Sequence, residues 1–481
     1  MSDLASFDLD TIEPQQESTL EARHSRAIRA LVSAARCVPG LRNAKVDKLA
    51  TFCRGSAWTF VGYGGSQLLR LASMVILARH LLGPQAFGLV ALVNVFISGL
   101  NLLTDLGIGT DVIQHRRGDE REFIDTAFVI QAGRGAILWM LASALAYPFA
   151  RFYHQSEVFP LALAAAVTVL ASGFTSGAIY TLTRHVHLER PTLLRMGAEG
   201  VGLVTSVSWA FFSPTAWALV VGRVATEATF VLGSHFISRQ KMSLEWDARA
   251  AKDILAFGTG MFASSATYFL AGEAERLVVG KFVDLVALGC FSLALSITWA
   301  ATTGVHRILQ QVFYPMIALS ARESHDLAAR HYLKARLILL VLCSCLAVIF
   351  IAGGKWIVAI LLGPKYVMAG WIIQLMGFRA TLELFTAAAT QMLFALGSSK
   401  YAAYSNLTKL AFLAFGLTVA FWKFGFHEAV WVLAISPVFA HIPVLVGIRA
   451  RLMGAFWTEA TTLASLTAVS AVAAVALKVL A

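Results

Sequence analysis

The chain of 481 residues is 58% hydrophobic and only 14% charged. So few charged residues cannot cover the surface of a soluble protein of this size, which excludes the soluble enzyme classes. The net charge of +11 would fit a nucleic acid partner, but Lys and Arg lie in the connections between apolar segments rather than in one basic surface. We expect a membrane protein that does not bind nucleic acid.

The first 55 residues differ from the rest in composition, and we predict that they form a cytoplasmic tail. Residues 2–17 are acidic and polar, and residues 20–38 combine arginines with isoleucine, leucine and valine. Two interpretations stay open: a basic amphipathic helix on the inner leaflet, or a solvated tail. No secretory signal sequence is expected, because the first apolar segment begins far from Met1.

Thirteen apolar segments fill the chain after this tail. Crossing a bilayer takes about 20 residues of helix, and nearly all of the segments reach that length. They are predicted near residues 56–79, 87–110, 126–150, 157–182, 194–212, 215–238, 255–280, 285–310, 334–352, 367–395, 403–422, 428–448 and 457–480. The pattern predicts an all-α polytopic membrane protein.

The basic residues predict the orientation of these helices. With the N-terminus in the cytoplasm, about 25 of the 39 Lys and Arg fall in the tail and in every second connection, and about seven fall on the opposite side. This positive-inside bias predicts a multi-pass protein with a cytoplasmic N-terminus.

The first twelve segments divide into two similar sets of six, 56–238 and 255–448, joined by a charged linker over 239–254. Leu82–Gly88 (LGPQAFG) opens the second segment of the first set, and Leu288-Gly289 opens its counterpart in the second set. An even number of crossings per set predicts two six-helix lobes related by a parallel pseudo-two-fold repeat, with a substrate path between them. Residues 449–481 are predicted to add a thirteenth, C-terminal membrane helix.

The connections lack the motifs of membrane enzymes. No Gly-rich phosphate loop ending in Gly-Lys-Ser/Thr occurs, and the short outer connections carry no pair of carboxylates at a usable depth. The five cysteines have no metal-ligand spacing. We therefore expect no catalytic residue, no metal and no cofactor, and a membrane-embedded polymerase or ligase is disfavoured.

Several ionisable residues lie at membrane depth, where charge is costly and by default faces a cavity or the bundle interior. The candidate cavity cations are Arg70, Arg134, Arg223 and Arg379. Arg70 has no acidic partner within its own segment. Arg223 and Arg379 each have a glutamate four residues on, so each pair can neutralise itself on one helix face, and a structural role is as well founded as a functional one.

Acidic residues and one histidine complete the set of candidates. Glu227, Glu383 and His441 are candidate proton sites for coupling transport to an ion gradient. Asp105, Asp111 and Arg276 are assigned a gating or structural role near the two ends of their segments.

Three stretches carry a resemblance to a known family: Ala78–Val93 (ARHLLGPQAFGLVALV), Asp105–Gly109 (DLGIG) and Val112–Gln114 (VIQ). They resemble the polysaccharide transporters, which are flippases of lipid-linked O-antigen and exopolysaccharide repeat units within the multidrug/oligosaccharidyl-lipid/polysaccharide exporter superfamily. The resemblance extends over roughly residues 50–450. The basic tail and the thirteenth segment depart from a twelve-helix core.

The resemblance implies a bacterial inner-membrane protein that moves an undecaprenyl-diphosphate-linked oligosaccharide from the cytoplasmic to the periplasmic leaflet by alternating access of the two lobes. It also implies coupling to an H⁺ or Na⁺ gradient, and a polysaccharide polymerase and a chain-length regulator as partners. Arginine at mid-depth suits the phosphate groups of such a substrate.

Two other functions stay open at this point. A multidrug or small-cation extruder of the same superfamily should favour acidic cavity residues over arginine. A non-transporting subunit of a polysaccharide assembly complex has no evident need for arginines in the middle of the membrane.

Overall fold

The computed structural model describes residues 46–102, 107–237 and 243–451, together with residues 457, 461 and 464. Asp105, most of the predicted tail and the thirteenth segment predicted near 457–480 lie outside these ranges or are described only at those isolated positions. All regular elements in the described ranges are helical.

The first lobe contains eight helices in its described part, two of them short. They are α1 (Val46–Ile76), α2 (Pro84–Leu102), α3 (Ile108–Gln114), α4 (Arg121–Phe152), α5 (Val158–Gly173), α6 (Ala178–Arg184), α7 (Glu189–Phe212) and α8 (Trp217–Ile237). A π-helical turn, Leu77–Leu81, continues α1.

The second lobe follows the linker, and its described helices again include one short one. They are α9 (Ala248–Phe282), α10 (Leu285–Ile308), α11 (Tyr314–Glu323), α12 (His325–Leu361), α13 (Ala369–Ala395), α14 (Lys400–Lys423) and α15 (Phe426–Arg451). A π-helical turn, Leu309–Phe313, joins α10 to α11, and a 3₁₀ turn, Pro364–Tyr366, precedes α13.

Two of the predicted membrane segments are interrupted. In the segment predicted over 87–110, helix α2 is described as far as Leu102, and the break lies at Gly107, whose left-handed φ of 59° precedes α3. The segment predicted over 157–182 is bent by 61° between α5 and α6. At this bend α8 bonds two freed backbone groups, because Ser234 accepts from the Ser176 N–H at 3.0 Å and His235 Nε2 lies 2.7 Å from the Phe174 carbonyl.

Seven of the described helices are long and apolar enough to cross a membrane, and the bent α5–α6 pair brings the number to eight. Four further helices, α1, α7, α8 and α9, have at least 21 residues, which at about 1.5 Å per residue is long enough to cross a bilayer. Ionisable residues within them lower their hydropathy, and several of these residues belong to the site described below. The chain is thus an all-α polytopic membrane protein, while the division into six, six and one crossings stays a prediction.

The two lobes touch through glycines of α2 and α10. A Cβ added to Gly88 would lie 2.1 Å from the Leu285 carbonyl oxygen, and a Cβ added to Gly289 would lie 1.9 Å from the Pro84 carbonyl oxygen. Each glycine is the fifth residue of its own helix and contacts the first residue of the other helix. This reciprocity is what a two-fold relation between the lobes predicts for these two helices.

Four further interlobe contacts surround the glycines, at the outer end in the topology predicted above. Tyr366 donates to the Leu82 carbonyl at 3.0 Å. The other three donors are Tyr153 to the Leu277 carbonyl at 3.0 Å, Arg79 to the Ile360 carbonyl and Lys281 to the Phe152 carbonyl. We call the two glycines and these four contacts the outer seal. It closes the lobes against each other at this end.

The described part of the linker is fastened to the first lobe at the opposite end. Ser243 Oγ donates to Asp125 at 2.6 Å, and the backbone N–H of Asp247 donates to Thr126 Oγ1 at 2.9 Å. Asp247 also caps α9, because its side chain accepts from the Arg249 N–H. The entry into the second lobe is therefore fixed by the first.

Candidate functional site

A cavity of about 280 Å³ lies between the lobes, below the outer seal. Helices α1, α2, α7 and α8 form most of its wall, and α10 supplies the rest. Its polar lining residues are Arg70, Ser73, Asn94, Glu199, Ser206, Arg223, Thr226, Ser292 and Ser296. We call this space the interlobe cavity.

Arg70 of α1 reaches the cavity and contacts a carboxylate of another helix. Its Nε lies 3.2 Å from Oε1 of Glu199 on α7, and 44% of the Arg70 side chain is exposed against 7% of the Glu199 side chain. The sequence offered Arg70 no acidic partner in its own segment, and the fold provides one across the helix interface.

Glu199 belongs to a chain of charges that runs from α1 to α8. Arg195 of α7 lies 3.4 Å from Glu199 Oε1 and 3.6 Å from Glu227 Oε2 on α8. With Arg70 and Arg223, these residues form what we call the cavity charge network. Its three arginines and two glutamates leave one positive charge in excess.

Arg223 carries the least compensated charge of the network. Its side chain is exposed and lines the cavity, and within the described ranges no carboxylate lies within 4 Å of its guanidinium. The Arg223–Glu227 ion pair that the i,i+4 spacing allows is therefore not formed in this conformation. Glu227 instead contacts Arg195.

The close packing of α7 on α8 explains this exchange of partners. A Cβ on Gly202 would lie 1.8 Å from Thr226 Oγ1, and a Cβ on Gly222 would lie 1.7 Å from Ser206 Oγ. These small residues let the two helix backbones approach closely. Arg195 can then reach across to Glu227.

A second set of charges lies inside the second lobe and differs from the first in its burial. Arg379 is 5% exposed, and its guanidinium donates to both carboxylate oxygens of Glu275, at 2.7 Å for one of them, and to Glu383 at 3.0 Å. Lys409 donates to Glu383 at 2.8 Å. We call these four residues the second-lobe cluster. Its charges cancel.

The second-lobe cluster joins α9, α13 and α14, and Arg379 does not line the interlobe cavity. The predicted i,i+4 pair of Arg379 with Glu383 is formed. In this conformation the geometry favours a structural role for Arg379, whose role as a substrate-binding cation stays a prediction.

The other predicted residues lie away from the interlobe cavity. Arg134 donates to the Asn101 carbonyl at 2.9 Å. His441 is fully buried, with Nδ1 3.2 Å from Thr386 Oγ1, and Arg276 is half-buried near the outer end of α9. The predicted roles of Arg134 in substrate binding, of His441 in coupling and of Arg276 in gating or structure stay predictions.

Asp111 is buried on the short helix α3, at the end of the bundle opposite the outer seal. Burial raises the pKa of its carboxyl group, His115 lowers it and Asp253 raises it. Arg184 binds the end of the same helix, donating to the carbonyls of Val112, Ile113 and His115. This arrangement fits the structural alternative of the predicted gating or structural role.

Two members of the cavity charge network, Arg195 and Glu199, were not among the predicted site residues. They lie near the polar beginning of the segment predicted over 194–212, where charge needs no special explanation. Their four-residue spacing, equal to that of the two predicted pairs, was the available signal.

Comparison with known proteins gives the following matches. Residues 76–370 match a family model described as "Polysaccharide biosynthesis protein". The teichuronic acid biosynthesis protein TuaB of Bacillus subtilis (strain 168) is 21% identical over 339 residues, which cover 70% of each chain.

Two further relatives match over about half of their length. The lipopolysaccharide biosynthesis protein WzxC of Escherichia coli (strain K12) is 21% identical over 58% of this chain and 56% of its own. The succinoglycan biosynthesis transport protein ExoT of Rhizobium meliloti (strain 1021) is 20% identical over 51% of this chain and 49% of its own.

Solved structures share the fold. An inward-facing multidrug resistance MATE family transporter of the MOP superfamily is 14% identical, with a TM-score of 0.62 over 84% of this chain and 95% of its own. The lipid II flippase MurJ in an inward closed conformation is 11% identical, with a TM-score of 0.58 over 86% of this chain and 92% of its own.

Proposed function

Because the chain belongs to the family of polysaccharide biosynthesis proteins, as its motifs predicted, we propose that it is a flippase for lipid-linked oligosaccharides. It moves undecaprenyl-diphosphate-linked repeat units from the cytoplasmic to the periplasmic leaflet of a bacterial inner membrane, with its own N-terminus in the cytoplasm. The relatives are named for teichuronic acid, lipopolysaccharide and succinoglycan biosynthesis. These are different polymers, so the family does not specify the sugar.

The observation that carries the proposal is a cavity lined by two arginines, one of which has no carboxylate within 4 Å in the described ranges. A diphosphate cannot enter hydrocarbon without compensating charge. Guanidinium groups bind phosphate oxygens in pairs and stay charged at any physiological pH. Arg70 and Arg223 therefore suit the one part of the substrate that every lipid-linked repeat unit shares.

The size of the interlobe cavity supports a contact with the head group alone. Ligand sites usually measure about 300–1,000 Å³, and this cavity is slightly smaller, at about 280 Å³. It suits a diphosphate, with the glycan and the lipid tail outside it. The outer seal supports a state that is closed toward the periplasm, from which the lobes rearrange to release substrate.

The test asks which leaflet holds the repeat units. Intact and lysed spheroplasts of a deletion strain are treated with an impermeant sugar-oxidising reagent. We expect the units to be protected until lysis in the mutant and labelled in intact cells of the parent. Equal labelling in both intact preparations would refute the flippase function.

The variant Arg70→Ala tests in the same assay whether the cavity arginine is needed for flipping. We expect this variant to leave repeat units protected, as the deletion does, because the diphosphate loses its Arg70 contact. Arg151→Ala, which removes an exposed arginine of α4 outside the cavity, is the control and should restore labelling. Full activity of Arg70→Ala with normal amounts of protein in the membrane would contradict the role of Arg70.

The likeness to a MATE transporter favours a second candidate, a drug or small-cation extruder. The one excess positive charge of the cavity charge network opposes it, since like charge repels a cation. Increased drug sensitivity of the deletion strain, with normal labelling of its repeat units, would favour the extruder.

Other parts of the proposal rest on the family resemblance. They are coupling to an H⁺ or Na⁺ gradient through Glu227, Glu383 or His441, the absence of catalytic activity, and association with a polymerase and a chain-length regulator.

A further inference from the structure

We propose that Glu199 is an internal competitor of the substrate: its carboxylate holds Arg70 while the cavity is empty, and the substrate diphosphate replaces it there. This inference rests on the proposed function, because it specifies how the same site binds and releases its anion.

The geometry of the Arg70–Glu199 contact is that of a weak ion pair. One carboxylate oxygen, Oε1, lies 3.2 Å from Arg70 Nε and 3.4 Å from Arg195 Nη2, and neither contact is a well-aligned hydrogen bond. No hydrogen bond of the terminal Nη atoms of Arg70 is found in the described ranges, and both residues line the cavity. The diphosphate can therefore first bind these Nη atoms and then replace Glu199 at Nε, which gives it a paired contact with the guanidinium.

The second-lobe cluster shows what a permanent pair looks like in the same protein. There Arg379 donates to both oxygens of Glu275 and to Glu383 with only 5% of its side chain exposed. A substrate has no access to that pair. The cavity pair differs in having a single point of contact and an exposed arginine, as a replaceable partner requires.

Glu199 has a second partner, Arg195, which it still contacts after it releases Arg70. The charged groups around it are Arg70 on α1, Arg195 on its own helix and Arg223 and Glu227 on α8. On the other elements that pack against α7, Arg79 binds the Ile360 carbonyl, Arg184 binds Asp119, and His80 is exposed. The carboxylate therefore stays beside Arg195 after the exchange and is not left as an isolated charge in the membrane.

The exchange gives the site a moderate affinity. An arginine that is already partly neutralised binds a diphosphate less tightly than a free one, and a transporter must release its substrate on the other side. Glu199 is thus a residue that lowers the affinity of the site and favours release of the substrate.

The test measures binding of farnesyl diphosphate to the purified protein in detergent by calorimetry. Glu199→Gln removes the competing charge, and we expect it to tighten binding about tenfold. Glu227→Gln is the matched control, because it removes the same charge from the network but leaves the Arg70–Glu199 contact. We expect it to tighten binding less than about threefold.

A double variant separates replacement at Arg70 from a general effect of charge. In an Arg70→Ala background, Glu199→Gln should tighten binding no more than the Glu227→Gln control does, since the larger effect depends on the contact between the two residues. Glu199→Asp keeps the charge but withdraws it by one methylene, so it should still tighten binding, about threefold. This variant serves as the measurement if Glu199→Gln does not yield a monodisperse protein.

Three results would overturn the inference alone. The first is equal tightening by Glu199→Gln and Glu227→Gln, and the second is about tenfold tightening by Glu199→Gln that persists without Arg70. The third, used where Glu199→Gln does not fold, is wild-type affinity of Glu199→Asp. Farnesyl diphosphate binding that is absent, or unchanged in both Arg70→Ala and Arg223→Ala, would instead overturn the proposed function and this inference with it.

Discussion

Arg223 and Arg379 have the same sequence pattern, an arginine four residues before a glutamate in an apolar helix, but different surroundings. Arg379 is enclosed by two carboxylates, whereas Arg223 faces the cavity with none within 4 Å in the described ranges. The i,i+4 spacing predicts that two groups share a helix face. It does not predict which neighbouring helix competes for them, and here Arg195 of α7 contacts Glu227.

Arg223→Ala is expected to reduce flipping at least about tenfold, because the diphosphate loses a charge-assisted contact. Arg223→Lys should restore part of the activity, since lysine keeps the charge but not the paired donors. Repeat-unit labelling in intact spheroplasts measures both variants. Equal activity of the alanine and lysine variants would contradict a phosphate contact.

Arg379→Met is expected to destabilise the protein. Removing one partner of a buried pair costs about 3–5 kcal/mol, because Glu275 then stays buried without its bidentate partner. The measurement is the midpoint of thermal unfolding in detergent, monitored as the loss of monodisperse protein. Arg151→Ala, an exposed change, is the control and should leave the midpoint unchanged. A normal midpoint for Arg379→Met would argue against a structural role.

At the scale of helices, the sequence indicated most of the segments and their turns. Leu82-Gly-Pro84 and Leu362-Gly-Pro364 lie in two of the predicted connections, and the structure places the end of one helix and the start of the next element at each. The bend between α5 and α6 was not predicted, because the groups that satisfy its backbone belong to α8, far along the chain.

Gly88→Ala is expected to loosen the outer seal, because its Cβ would collide with the Leu285 carbonyl, a backbone atom that cannot turn aside. The buried Cys290, next to Gly289, reports the change in a protein whose other cysteines are replaced by serine. Its labelling by an impermeant maleimide should increase several-fold. Gly133→Ala is the control, since its Cβ meets nothing within 4 Å; equal labelling of the two variants would contradict the prediction.

At the scale of the whole molecule, composition and charge predicted a polytopic membrane protein, and three sequence motifs carried its resemblance to a family; the family and the helical membrane fold are confirmed. The contents of the cavity were only partly predictable. Depth along a helix indicated Arg70 and Arg223, but the arrangement of α1, α7 and α8 that brings Glu199 to Arg70 depends on tertiary packing.

The contacts of the Asp247 carboxylate in the linker are expected to persist when the pH changes. A backbone hydrogen bond from Arg249 and a side-chain hydrogen bond from Arg117 lower the pKa of Asp247 below its usual range. A carboxyl with a lowered pKa contributes stability above its unfolded pKa and loses it as the pH falls through the folded pKa. The contact should therefore be fully formed throughout the neutral range.

Asp247→Ala tests this contact through cleavage by trypsin after Arg249 or Lys252 in the first turn of α9. We expect several-fold faster cleavage than in the wild type, by the same factor at pH 6 and at pH 8.5. Glu245→Ala, an exposed change in the same linker, should cleave like the wild type. A factor that falls steeply between these pH values would contradict a lowered pKa of Asp247.

The outer seal has a consequence for how such proteins diverge. Each of its four side-chain hydrogen bonds joins a donor on one lobe to a main-chain carbonyl on the other. Every amino acid supplies a carbonyl, so mutation at the accepting positions leaves the bond available, and only the tyrosine, lysine and arginine positions are constrained. Covariation between the halves will therefore under-report this interface, and homologues can exchange acceptor residues freely while the lobes still close.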